Sequence, residues 1–149
     1  MKRSIKSASG VTLLEIMLVL AIAAMIIVMS IRYYQNATNS QNANAIVEQI
    51  QNITAAADNL AIGANSYSKL TTSSLGTLVG TNNMKTPYNT PITLSGPTPT
   101  SYTVTVGTMP TAVCTSVASK LAANSKYSGG GSTPTCSGNT VTYTYDSTK

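Results

Sequence analysis

The chain contains no histidine, which removes the commonest general base and every imidazole metal site. Acids are almost as scarce: Glu15, Glu48, Asp58 and Asp146 are the only four. The three beyond the first apolar stretch lie far apart in sequence. They offer no carboxylate pair for acid–base work and no cluster of hard oxygen ligands for calcium. Charged residues of both signs make up only 9% of the composition. Beyond the N-terminus no Lys/Arg cluster remains to track a phosphate backbone, which argues against nucleic acid as a partner of this chain alone. Gly129-Gly130-Gly131 is followed by Ser132-Thr133-Pro134 and not by a Lys-Ser/Thr pair, so it reads as a flexible linker rather than a phosphate loop. No enzyme activity, no cofactor and no metal are expected. Glycine and proline are also missing, from Val11 through Ile62, so nothing in that span interrupts a helix.

What is present is unevenly distributed. Hydrophobic residues make up 42% and concentrate in the first third, while the remainder is rich in Thr, Ser, Asn and Gly. The 149 residues suit one modest domain with an appended helix. The formal charge of +5 is mostly a property of the N-terminus. Lys2, Arg3 and Lys6 lie in the first ten positions, and without them the balance falls to +2.

Val11 to Ile31 carries one charge, Glu15. As a helix rising 1.5 Å per residue it spans about 30 Å, the thickness of a bilayer's hydrocarbon core. Arg32 and Tyr33-Tyr34 follow at headgroup level, and the basic residues on the other side favour a cytoplasmic N-terminus. A secretory signal peptide begins in the same way, with Ala21-Ile22-Ala23 as its cleavage site. Against it, the apolar run continues through Met25-Ile26-Ile27-Val28-Met29, and Glu15 interrupts its early part. A plain membrane anchor fits the length but leaves the carboxylate unexplained, because an acid at mid-bilayer costs about 2.5–3.5 kcal/mol. A glutamate tolerated near the interface is the simpler alternative.

Ser9-Gly10-Val11-Thr12-Leu13-Leu14-Glu15, followed by the apolar stretch to Ile31, resembles the N-terminal signal of type IV pilins and pseudopilins. The resemblance covers positions 6 to 31. It implies that a prepilin peptidase cleaves between Gly10 and Val11 and N-methylates Val11, and that Glu15 is the assembly glutamate. Cleavage would leave a free amino group on Val11, with Glu15 about one helical turn inside the new N-terminus, where the macrodipole favours negative charge. An ammonium group there is its natural counter-ion. Between packed chains the pair would set axial register, since an unpaired buried carboxylate costs several kcal/mol. A first mature residue of Val rather than Phe is more like the type IVb class (bundle-forming, toxin-coregulated and conjugative thin pili), although a ten-residue leader is short for it. The stretch from Tyr33-Tyr34-Gln35-Asn36-Ala37 through Asn59-Leu60-Ala61-Ile62-Gly63 is similar to bundle-forming pilins as well.

The resemblance implies a leader at 1–10, a transmembrane and filament-core helix at 11–31, its amphipathic continuation at 32–62, and a globular head at 63–149 with a C-terminal disulfide region. The implied partners are further pilin subunits in a homopolymer, the prepilin peptidase, the pilus assembly machinery, and a host or neighbouring cell surface. The location would be the bacterial inner membrane before assembly and an extracellular pilus afterwards. The implied roles are adhesion, aggregation, motility, DNA uptake or conjugation. Two alternatives stay open: a pseudopilin of a type II-like secretion machine, and a single-span membrane protein with a ligand-binding ectodomain.

The pattern beyond the membrane is independent of that resemblance. Ala43, Ile46, Val47, Ile50, Ile53, Ala57, Leu60 and Ala61 recur at spacings of three and four, with Gln41, Asn44, Gln49, Asn52 and Asp58 assigned to the opposite face. One helix from 12 to 62, stopped by Gly63, would be about 75 Å long. Asn36 to Asn44 is mostly polar, of poor helix propensity, and a candidate weak point. Tyr102 to Val106 and Thr140 to Tyr145 alternate with period two, and Ile92 to Leu94 is a further short strand. Thr111 to Asn124 reads as a helix with Val113, Val117 and Leu121 on one side. The expected fold is α+β, the long helix packed on a small antiparallel sheet. If this part is exported, Cys114 and Cys136 form one disulfide tying the short helix to the start of the last strand; otherwise they are two free thiols.

Overall fold

A computed structural model describes residues 12–149 of the chain. Gly10 and Val11, the expected cleavage and methylation positions, lie outside the described residues. The chain divides at Ala37/Thr38 into two compact units, inside the stretch of poor helix propensity. α1, Leu13–Ala64, gives its first part to one unit and its second to the other, and its helical residues include all of Asn36–Asn44.

In the first unit Thr12 opens the helix: its carbonyl and hydroxyl both accept from the Glu15 N–H, at 3.0 and 3.3 Å. From Leu13 to Ile31 the large apolar side chains stand exposed, Leu13 at 79% and Met29 at 70%. This part of α1 is long and apolar enough to cross a membrane, by length and composition. Ser30, the polar residue near its end, donates its hydroxyl back to the Ile26 carbonyl at 2.8 Å, hiding a group that lipid cannot satisfy.

The second unit is built on the remainder of α1. The expected apolar stripe faces inward: Ala43, Ile46, Ile50, Ile53, Ala57 and Ala61 are buried, with Val47 and Leu60 half-buried beside them. Gly63 does not stop the helix, which continues to Ala64. The chain turns at Asn65, whose φ of 49° is the left-handed conformation that commonly ends helices and that Asn adopts at little cost.

The rest of the unit holds α2 (Thr72–Val79), β1 (Ile92–Ser95), β2 (Ser101–Val106), α3 (Thr111–Ala122), β3 (Thr135–Ser137) and β4 (Thr140–Asp146). The strands form one antiparallel sheet in the order β1-β2-β4-β3. Tyr102 pairs with Tyr145, Val104 with Tyr143 and Val106 with Val141, and all six are buried. The other face of this pairing carries Thr103 opposite Thr144 and Thr105 opposite Thr142. A two-sided alternation of this kind needs one apolar cover, and the buried residues of α1 join the sheet and α3 in a single core. α3 adds Val113, Val117 and Leu121, all fully buried.

Other local features also differ from the expectation, α2 among them. β3 was not anticipated; it joins β4 through Gly138 (φ 56°) and Asn139 (φ 64°), the two positive-φ residues a tight hairpin requires. The glycine run also does more than link. Gly129 is buried, and a Cβ there would come within 2.9 Å of Thr144 Cγ2 and 3.0 Å of Asp146 Cβ. Only a glycine lets this segment lie against β4, where Ser128 bridges Thr144 in parallel. At the opposite edge, Thr72 Oγ1 accepts from the Leu94 N–H at 3.1 Å and lies 3.5 Å from its carbonyl oxygen. This side chain occupies backbone groups that an unprotected edge strand would offer to another chain.

Candidate functional site

Three groups of residues have chemistry to offer. The first is the helix start. Glu15 lies in the first turn of α1, is exposed, and its carboxylate has no partner among the described residues. Thr12-Leu13-Leu14-Glu15 also has the spacing of a capping box, S/T-x-x-E, a signal that sequence reasoning passed over. Half of that box is formed, with the threonine side chain on the Glu15 N–H.

The second is the Cys114–Cys136 disulfide, with a Cα–Cα distance of 5.6 Å. It ties α3 to the edge strand β3, not to the start of the last strand as the sequence suggested, because β3 intervenes. Cys114 is fully buried and Cys136 half-buried.

The third was not expected as a site. Asp58, which the periodicity assigned to the solvent face of α1, is partly buried and accepts two phenolic hydrogen bonds. Tyr67 donates to Oδ1 at 2.7 Å and Tyr145 to Oδ2 at 3.1 Å. The rings around it pack on one another: Tyr102 stacks on Tyr145 at 5.1 Å, and Tyr67 lies 5.3 Å from Tyr102. Tyr127 extends the cluster, edge-on to Tyr143 at 5.4 Å. The hydroxyls of Tyr102 and Tyr143 are buried and have no hydrogen-bond partner among the described residues. The Thr54 hydroxyl itself donates to the Ile50 carbonyl at 2.9 Å. A half-open cavity of about 360 Å³ lies beside Asp58 and Tyr67, with Asn65, Ser66, Thr100 and Ser147 in its wall. The tyrosines at alternate positions of β2 and β4 were legible, but their convergence on Asp58 depends on the rotation of α1 over the sheet.

Burial, followed by the hydrogen bond to Asp58, pushes the Tyr67 phenol up from its usual 10 to about 12. Burial raises Tyr102, Tyr143 and Tyr145 as well. Raised phenol values mean that the folded state holds the protons more tightly than the unfolded chain does. The stabilisation is therefore complete below pH 10 and is lost as pH rises from there, for Tyr67 through about 12. Circular dichroism should show cooperative unfolding in that window, coincident with tyrosinate absorbance. Complete ionisation of all eight tyrosines with the structure intact would contradict the arrangement, since Tyr33 and Tyr34 are exposed and only the buried rings report on it.

Among the described residues no three His, Cys, Asp or Glu come together as a metal site. Comparison of the chain with protein-family models, with curated proteins and with solved structures finds no match.

Proposed function

We propose that this chain is a structural subunit, the major pilin of a type IVb-like pilus, polymerised through its N-terminal helix into an extracellular fibre. The observation that carries this reading is the exposed apolar helix whose first-turn carboxylate has no partner among the described residues, set behind the Gly10-Val11 signal. The helix surface is apolar in lipid and would be apolar again in a fibre core, so transfer between the two desolvates little. Ala21 and Ala24 allow close helix contact. The Thr/Ser/Asn-rich unit would remain at the fibre surface. On this reading the chain is stored in the inner membrane, is cut after Gly10 and methylated on Val11 by a prepilin peptidase, and is not an enzyme. Its fibres would serve adhesion, aggregation, motility or DNA transfer.

A second reading draws on the Thr12–Glu15 cap. A glutamate three residues after a capping threonine has a local reason to be there, which favours a plain single-span anchor carrying an ectodomain. The mass of the mature N-terminus separates the two. The pilin reading expects a methylated Val11 start in material sheared from cells as fibres. An intact Met1 end would overturn it.

A further inference from the structure

Asp58 is a fixed carboxylate without a cation. Its two oxygens are held by the Tyr67 and Tyr145 hydroxyls, which orient the group but leave its charge in place. Among the described residues no lysine or arginine pairs with it. The cavity beside it adds neutral oxygen acceptors from Asn65, Ser66, Thr100 and Ser147, and an ammonium group has three hydrogens to place. At the rim stands Ile62, 79% exposed. An apolar lip beside an anionic pocket suits an ammonium on a methylene stem, the form of a lysine side chain, better than a bare cation.

The chain also holds a matching donor. Lys120 donates to Asn44, and Lys149 donates to the Ser128 carbonyl. The ammonium groups of Lys69, Lys85 and Lys126 have no partner among the described residues. Lys69 follows Tyr67 by two positions and Lys126 precedes Tyr127, both within the segments that carry the tyrosine cluster. Lys85 lies elsewhere: its carbonyl accepts from Gln49 Nε2 at 3.1 Å, which places it beside Gln49 on α1. Gln49 precedes Asp58 by two and a half helical turns, so the two positions lie on opposite sides of α1 and about 13 Å apart along it. A donor and an acceptor on opposite sides cannot meet within one chain. They meet between parallel copies placed side by side and shifted along the axis, a head-to-tail contact that propagates instead of closing.

We infer that the Asp58 pocket receives the Lys85 side chain of a second copy of this chain, an ion pair that sets the lateral spacing of neighbouring subunits. The inference deepens the fibre reading and rests on it for the parallel arrangement of copies.

The test uses the full chain in cells that express it, with isotopically light and heavy cultures mixed so that an inter-chain link is recognised by mixed labelling. A zero-length carbodiimide joins a carboxylate to an amine in contact with it. The expected product is a mixed-label Asp58–Lys85 peptide. Lys85→Glu, which leaves the backbone contact to Gln49 in place, should lower dimer cross-linking about tenfold, with unchanged thermal unfolding showing that the fold survives. Electron microscopy of sheared material gives the separate readout for fibres. Fibres without the Asp58–Lys85 link overturn the pairing and spare the fibre reading. The link without fibres overturns the fibre reading and spares the pairing. Absence of both overturns both.

Discussion

If the chain forms fibres as proposed, replacing Glu15 with alanine should leave it in the membrane and processed, yet lower fibre yield by roughly two orders of magnitude or more, the scale set by leaving a buried charge unpaired at about 3–5 kcal/mol. The local helix start does not depend on the carboxylate, because the hydrogen bonds that cap it run from the Glu15 N–H to Thr12, and alanine keeps that donor. Membrane insertion should be no worse, since the cost of carrying a charge in the span disappears. On the proposed fibre reading, what is lost is the counter-ion for a neighbouring Val11 amino group, and with it the preference for one axial register. Glu15→Gln separates charge from hydrogen bonding: it keeps an acceptor of the same shape but should fail in the same way. Quantifying sheared fibres against total membrane-held chain is the measurement. Wild-type fibre levels in either variant would refute the register role.

Breaking the disulfide should have the largest effect on stability. The bond joins residues separated by 22 positions, and closing such a loop restricts the unfolded chain by about 3 kcal/mol. That is a large share of the 5–15 kcal/mol typical of a domain, and corresponds to a fall in melting temperature of about 15 °C for a unit of this size. The two cysteines are not equivalent. Cys136 is half-buried at the sheet edge, so Cys136→Ser removes the bond and little else. Cys114 is fully buried on α3, so Cys114→Ser also places a hydroxyl in an apolar shell, at a further cost of about 1–2 kcal/mol. Thermal unfolding of the detergent-extracted chain should therefore rank wild type above Cys136→Ser, and Cys136→Ser above Cys114→Ser. Reductant should lower the wild-type transition to that of Cys136→Ser and leave the variants unmoved. Equal transitions in all three would mean that the cross-link does not constrain the unfolded chain.

Much of the architecture was legible because its periodicities are long and uninterrupted. The α1 stripe from Ala43 to Ala61 and the alternations Tyr102–Val106 and Thr140–Tyr145 each repeat often enough for one face to be assigned, and those faces are buried. Short elements were not legible by that route. β3 has three residues, fewer than two periods, and only the Gly138-Asn139 turn chemistry could have announced it. α2 has eight residues, and its Thr71/Ser74 capping box lies in a Ser/Thr-rich run where such spacings arise easily. The helix runs two residues past the stop expected from Gly63 because Asn65 supplies the left-handed residue that ends it.

The candidate sites divide along the same line. Glu15 stands out in the sequence because a charge in an apolar run is conspicuous whatever surrounds it, and Cys114 with Cys136 because two cysteines admit one pairing. Asp58 gave no such signal. It is one polar residue among many on an amphipathic helix, and helical periodicity resolves a face only to within a side chain or so. Whether a residue at the border meets water or the sheet depends on how α1 is rotated over β2 and β4. That rotation places the Asp58 carboxylate under the hydroxyls of Tyr67 and Tyr145. The sequence by itself determined the long helix, its apolar first part, the strands with long alternation and the cysteine pair, since each is a pattern among near neighbours in the chain. Only the tertiary structure decided the β3 edge, the close seat of Gly129 on β4 and the tyrosine-bound carboxylate with its cavity, because these arise where residues from distant segments meet and nearest-neighbour patterns carry no record of the meeting.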